Sequence, residues 1–227
     1  MKQTKYSILW AIFLLNFNVQ SFAQTEDTTL DFIDPRFIGA YLPVDFITAL
    51  KKTKHYAIAM KTHKHDYFYT ELIVEKNSMK SIYPFGDVDS VISKSQFLKF
   101  QFIHNRNETL IKDPKGCKYV KITNDVENHM KIMSNYIGKI ILNDLIKNGD
   151  ITIDSDTIFI PSLNTKFEIG TIKYAYNNNE NLVLKEYDKE KYYSLEIVNN
   201  LYTIYWIENN YYTSYKYVKR ILWEKKL

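Results

Sequence analysis

YYSLEIVNNLYTIYWIENNYYTSYKYVK, residues 192 to 219, carries two Asn-Asn pairs inside runs rich in Tyr, Ile, Leu and Trp. Asn tolerates positive φ better than other non-glycine residues, so Asn199-Asn200 and Asn209-Asn210 each suit a two-residue hairpin turn. A turn at Asn199-Asn200 sets Val198 against Leu201, Ile197 against Tyr202, Leu195 against Ile204 and Tyr193 against Trp206. The side-chain period of two then puts Tyr193, Leu195, Ile197, Tyr202, Ile204 and Trp206 on one face. A turn at Asn209-Asn210 sets Trp206 against Thr213, Ile204 against Tyr215 and Tyr202 against Tyr217. Both turns agree on one apolar face, so the stretch predicts a three-stranded antiparallel meander.

The rest of the chain supports β structure. Aromatic residues make up 15% of it, with 19 Tyr and 13 Phe against only 6 Gly, and Tyr and Phe favour pleated, half-buried surfaces. Strands are expected within 66–76, 79–85, 95–104, 109–112, 117–122, 139–146, 151–154, 157–160, 166–177 and 182–188. Asp113-Pro114-Lys115-Gly116 and Asn148-Gly149 are read as turns, the second as the strongest hairpin signal in the chain. Two short helices are expected. Pro43 to Lys54 has Pro and Asp45 at its start, an apolar stripe of Phe46, Ile47, Ala49 and Leu50, and Lys51, Lys52 and Lys54 at its end. Asn124 to Asn135 opens with Asn124 and Glu127 in capping-box spacing.

Many short strands with one or two short helices predict a mainly β protein, and the sequential meander favours an antiparallel up-and-down β-barrel. Residues 1–23 are read as a secretory signal peptide: Lys2 and Lys5, the apolar run Ile8 to Leu15, then Ser21-Phe22-Ala23 before the cleavage point. Gln24 stands where a lipoprotein would need Cys. The mature chain is expected to be exported, periplasmic or secreted, with a flexible start over 24–36 and one β-barrel-like domain over 37–227. Losing Lys2 and Lys5 lowers the formal charge from +4 to +2, which gives no argument for nucleic acid. Cys117 is the single cysteine, so no intramolecular disulfide forms, and its alternating surroundings mark it as a buried small residue.

This layout, with a signal peptide, Phe37-Ile38-Gly39-Ala40-Tyr41-Leu42-Pro43, a helix through Leu50 and a Tyr-rich closing meander, resembles exported lipocalin-like β-barrel proteins of host-associated bacteria. Gly39-Ala40-Tyr41 carries Tyr where the Gly-x-Trp signature of true lipocalins has Trp. The resemblance implies a barrel with a ligand-carrying interior.

Catalytic motifs are weak. His63 and His65 share a strand face, a zinc-like spacing, but no third ligand is identifiable beside Asp66. His55, His104 and His129 are scattered. Asp87-Val88-Asp89 and Asp154-Ser155-Asp156 lack the Gly and Glu of a calcium loop. Nucleophile-elbow and phosphate-loop motifs are absent, and no cofactor or metal is expected. Tyr193, Tyr202, Trp206, Tyr215 and Tyr217 are the candidate ligand-binding residues: they offer stacking faces and hydroxyls to an enclosed small apolar or amphipathic molecule. The competing reading is that the same residues fill the core, as side chains usually do in small barrels. On the opposite face, Tyr192, Tyr205 and Tyr212, with Ile207 and Val198, form a candidate partner surface for a protein or glycan, or the seat of the helix over 124–135. The expected function is a non-enzymatic binding protein. Its alternatives are a surface-interaction module and a hydrolase with a carboxylate site.

Overall fold

The computed structural model describes residues 30, 32–61, 71–82, 90–106, 108–154, 157–169, 180–189, 191–207 and 220–227. The expected signal peptide, the Asn209-Asn210 turn, Tyr212, Tyr215, Tyr217, His63, His65, Asp87, Asp89 and Asp156 lie outside these residues.

The described strands form two seven-stranded antiparallel sheets. The first contains β1 (Gly39–Pro43), β2 (Glu71–Val74), β3 (Met79–Ile82), β4 (Ser90–Val91), β5 (Gln101–His104), β6 (Thr109–Lys112) and β7 (Lys118–Thr123), in the order β4-β3-β2-β1-β7-β6-β5. The second contains β8 (Thr152–Asp154), β9 (Thr157–Ile160), β10 (Thr165–Ile169), β11 (Glu180–Glu186), β12 (Tyr192–Val198), β13 (Leu201–Ile207) and β14 (Arg220–Lys226). Its spatial order is its sequence order throughout, an up-and-down meander. It curls into a half-barrel. Two contacts tie its last strand back towards its beginning. Trp223 Nε1 donates to Ser162 Oγ at 2.9 Å, and Lys225 pairs with Asp150 at 2.7 Å.

Five α-helices occur among the described residues, more than the one or two short helices expected: α1 (Val44–Thr53), α2 (Tyr56–Lys61), α3 (Lys94–Phe97), α4 (His129–Ile141) and α5 (Asn143–Lys147). α1 matches the expectation from Pro43, Asp45 and the closing lysines, and ends at Lys54 with φ 54°. α2 falls where no element was expected, and Tyr56, Ala59 and Met60 bury one helical face. α3 interrupts the strand expected over 95–104. Ser93 and Gln96 close a capping box there, which satisfies donors that a strand would have left to a ladder.

The region 124–150 departs furthest from expectation. Asp125, rather than Asn124, organises the turn before α4, accepting from the backbone N–H groups of Glu127 and Asn128. The Asn124 carboxamide oxygen instead accepts from Lys121 Nζ at 3.0 Å. The helix then runs through residues expected to be a strand, because Met133, Ile137 and Ile141 place one apolar stripe in the core. Asn148-Gly149 ends α5 instead of closing a hairpin. Gly149, at φ 75°, donates to Ile146 O, and Asp150 donates to Leu145 O, which is a Schellman cap.

The main core lies between the sheets. Ala40, Leu42 and Ile73 of the first sheet face Phe167, Leu182, Leu184, Leu195 and Ile204 of the second, with α1, α2 and α4 packed in the same cluster. α4 touches both β7 and β10, so the concave side of the half-barrel is occupied by helix. Each Leu, Ile or Phe so buried contributes about 1.5–3 kcal/mol. The other face of the first sheet carries Tyr41, Leu72, Val74, Met79, Ile111 and Tyr119. Leu30, Ile33 and Phe37 cover them, so this part of the start expected to be flexible packs down, with Leu30 and Ile33 N–H groups bonded to Asn77 O and Lys76 O.

Candidate functional site

The first hairpin of the meander folds as its sequence dictates. Asn199 and Asn200 take φ values of 50° and 61°, the pair of positive angles that a two-residue turn between twisted strands requires. Val198 opposes Leu201, Ile197 opposes Tyr202, Leu195 opposes Ile204 and Tyr193 opposes Trp206. The six residues expected on one face all join the main core, wholly or in part.

The second hairpin register is corrected by the structure. β13 pairs on its free side with β14, so Tyr202 lies against Lys225, Ile204 against Trp223 and Trp206 against Arg220. Tyr217, Tyr215 and Thr213, expected in those positions, lie outside the described residues. The pairing slips by one residue between Ile204 and Tyr205, where Leu222 is the extra residue of β14. Such an irregularity bends an edge strand and re-aims its neighbours.

At this end of the half-barrel a cleft of about 370 Å³ opens, lined by Lys191, Tyr193, Trp206, Arg220, Ile221 and Leu222. Two of the five expected ligand-binding residues, Tyr193 and Trp206, meet there. Tyr202 does not: at 2% exposure it belongs to the filled core. Burial, reinforced by the Asp144 charge, pushes the Tyr202 phenol up to about 12.

The Tyr193 ring, 7% exposed, stands edge-on to Phe167 at 5.4 Å and 87°. Its hydroxyl donates to Glu186 Oε2 at 3.1 Å. Burial first, then the hydrogen bond to Glu186 and that carboxylate's charge, push the phenol up to about 12. Glu186 is held below the usual carboxylate range chiefly by the hydrogen bond from Lys189, with a further contribution from Tyr193 and against the effect of burial. Tyr193 is thus fixed as a neutral donor with its ring edge packed, while half-buried Trp206 offers the adjoining aromatic surface.

Lys191 and Arg220, the two exposed cations of the cleft, were not singled out in the sequence. Lys191 stands one residue before the strand, and Arg220 enters the row only through the β13–β14 pairing, which the Asn209-Asn210 pattern assigned to other residues.

On the convex face, Tyr192 is half-buried with Lys185 Nζ 6.0 Å from its ring centroid, and Tyr205 is half-buried beside Ile221. The helix expected to seat there packs on the concave side instead. Val198 and Ile221 are each 51% exposed. Among the described residues no three His, Cys, Asp or Glu side chains gather at metal-binding distance, and no helix is long and apolar enough to cross a membrane.

No family model matches this chain, and neither the curated proteins nor the solved structures contain a match to it.

Proposed function

We propose that this is an exported, non-enzymatic protein of lipocalin-like type that binds a small amphipathic molecule at the end of its half-barrel. The observation that carries this reading is the cleft of about 370 Å³ in which Tyr193 and Trp206 meet. Its size falls in the lower part of the range for small-molecule sites, and it combines apolar lining with a few polar groups. The concave interior, where a lipocalin would hold its cargo, is packed with α4 and its neighbours, so the ligand sits at the rim rather than within. Export rests on the three-part pattern of residues 1–23.

Native mass spectrometry of gently purified protein, compared with the same protein after denaturing extraction, tests this. A removable added mass is expected for wild type and is expected to be lost in W206A that retains its circular dichroism spectrum. A clean apo mass for wild type, with no small-molecule uptake on incubation with cell extract, overturns the reading.

A second reading is supported by Ile221, which lines the cleft but pairs with Tyr205 and is 51% exposed, and by Val198, exposed further along the same face. It makes that face a surface for a protein or glycan. Y205A weakening capture of a partner, with W206A leaving capture intact, would favour it over the cleft.

A further inference from the structure

Three adjacent strands align Tyr193, Trp206 and Arg220 in one cross-strand row. Residues paired directly across an antiparallel ladder share a face, so a guanidinium stands beside the indole and phenol that line the cleft. Lys191 adds a second cation to the same lining. The carboxylate nearest the row, Glu186, is already engaged by Lys189 and by the Tyr193 hydroxyl. Among the described residues no carboxylate lines the cleft.

We propose that the cleft selects a flat apolar molecule bearing a carboxylate or a comparable acidic group. The anion is held by Arg220 with help from Lys191, and the apolar body lies against Trp206, the Tyr193 ring and Leu222. Arg suits this task because its planar fork of donors matches a carboxylate bidentately. The aromatic pair suits a flat body, since offset or edge-on packing adds to simple burial. The volume of about 370 Å³ accommodates a molecule of two fused rings. This inference rests on the cleft being the binding site.

Isothermal titration calorimetry on the full chain tests it with three probes of one shape: 2-naphthoate, neutral 2-naphthamide and cationic 2-naphthylmethylammonium. Naphthoate is expected to bind tightest and the ammonium weakest. R220Q, an exposed substitution, is expected to weaken naphthoate about tenfold, the scale of one charge-assisted hydrogen bond, while leaving naphthamide unchanged. K191Q is expected to act in the same direction with a smaller effect. Equal binding of all three probes, or naphthoate binding indifferent to R220Q, overturns the charge selection and leaves the binding reading standing. Binding of no probe by wild type overturns both.

Discussion

Tyr193 and Trp206 are directly opposed across the β12–β13 ladder, and the same pair lines the cleft at the end of the half-barrel. The two side chains do different work there. Tyr193 is anchored by Phe167 on its ring and by Glu186 on its hydroxyl, whereas Trp206 keeps part of its surface open. Rigid aromatic groups at a rim present contact area with little rotamer entropy left to lose on binding.

The anchoring of Tyr193 has a titration signature. Its phenol is raised from 10 to about 12, so the folded protein holds the proton more tightly than the unfolded chain does. The stabilisation is complete below pH 10 and disappears as pH rises towards 12. In a tyrosinate absorbance titration, the difference between wild type and Y193F should therefore appear near 12 rather than 10. E186Q should move that step downwards by removing the neighbouring charge; a step that stays put would show that burial alone sets it.

The hairpin turn makes a second prediction. Asn199 and Asn200 both occupy positive φ, where an ordinary L residue costs roughly 1–2 kcal/mol. N200A should lower stability by about 1 kcal/mol in urea unfolding, whereas N200G should equal or exceed wild type. Equal midpoints for the two variants would contradict the turn geometry.

Gly39 is required by its neighbour rather than by a turn. It adopts φ 149°, and a β-carbon built there would stand 2.2 Å from the Thr123 carbonyl oxygen. The atom it meets is backbone, which cannot rotate away, at the β1–β7 pairing in the middle of the first sheet. G39A should cost on the order of 3 kcal/mol or prevent folding. A G39A protein with an unchanged denaturation midpoint would refute this account.

Cys117 is buried against the second core, and burial pushes its thiol up to about 11. The thiolate is the reactive form, so the native protein should resist alkylation at neutral pH and react only once unfolded. Iodoacetamide labelling followed by intact mass, with and without denaturant, decides this. Rapid native labelling would place the thiol at the surface.

Much of the second sheet is legible in the sequence where the relevant chemistry is local. The strand at 157–160 and the full register of the 192–207 hairpin follow from alternation and turn residues alone. Sequence and structure part where one local signal serves two structures. Asn148-Gly149 closes hairpins, but the same positive-φ glycine also caps helices, and only the burial of Met133, Ile137, Ile141 and Leu145 decides between them here. In 95–104, alternation suggests one strand, while the Ser93–Gln96 capping box marks a helical turn and the strand begins only at Gln101.

The sequence by itself determined the β character of the chain, the turn at Asn199-Asn200 and the apolar face shared by Tyr193, Leu195, Tyr202 and Ile204. Those features depend on side-chain period and on φ at single residues, which the chain specifies within a few positions. Tertiary structure decided that β13 pairs with β14 and that helices occupy the space between the sheets. It also decided that Tyr202 is sealed in the core, while Tyr193 and Trp206 meet Arg220 at a cleft. Those outcomes depend on which distant surfaces bury one another, a competition between many nearly equivalent apolar faces that no local pattern resolves.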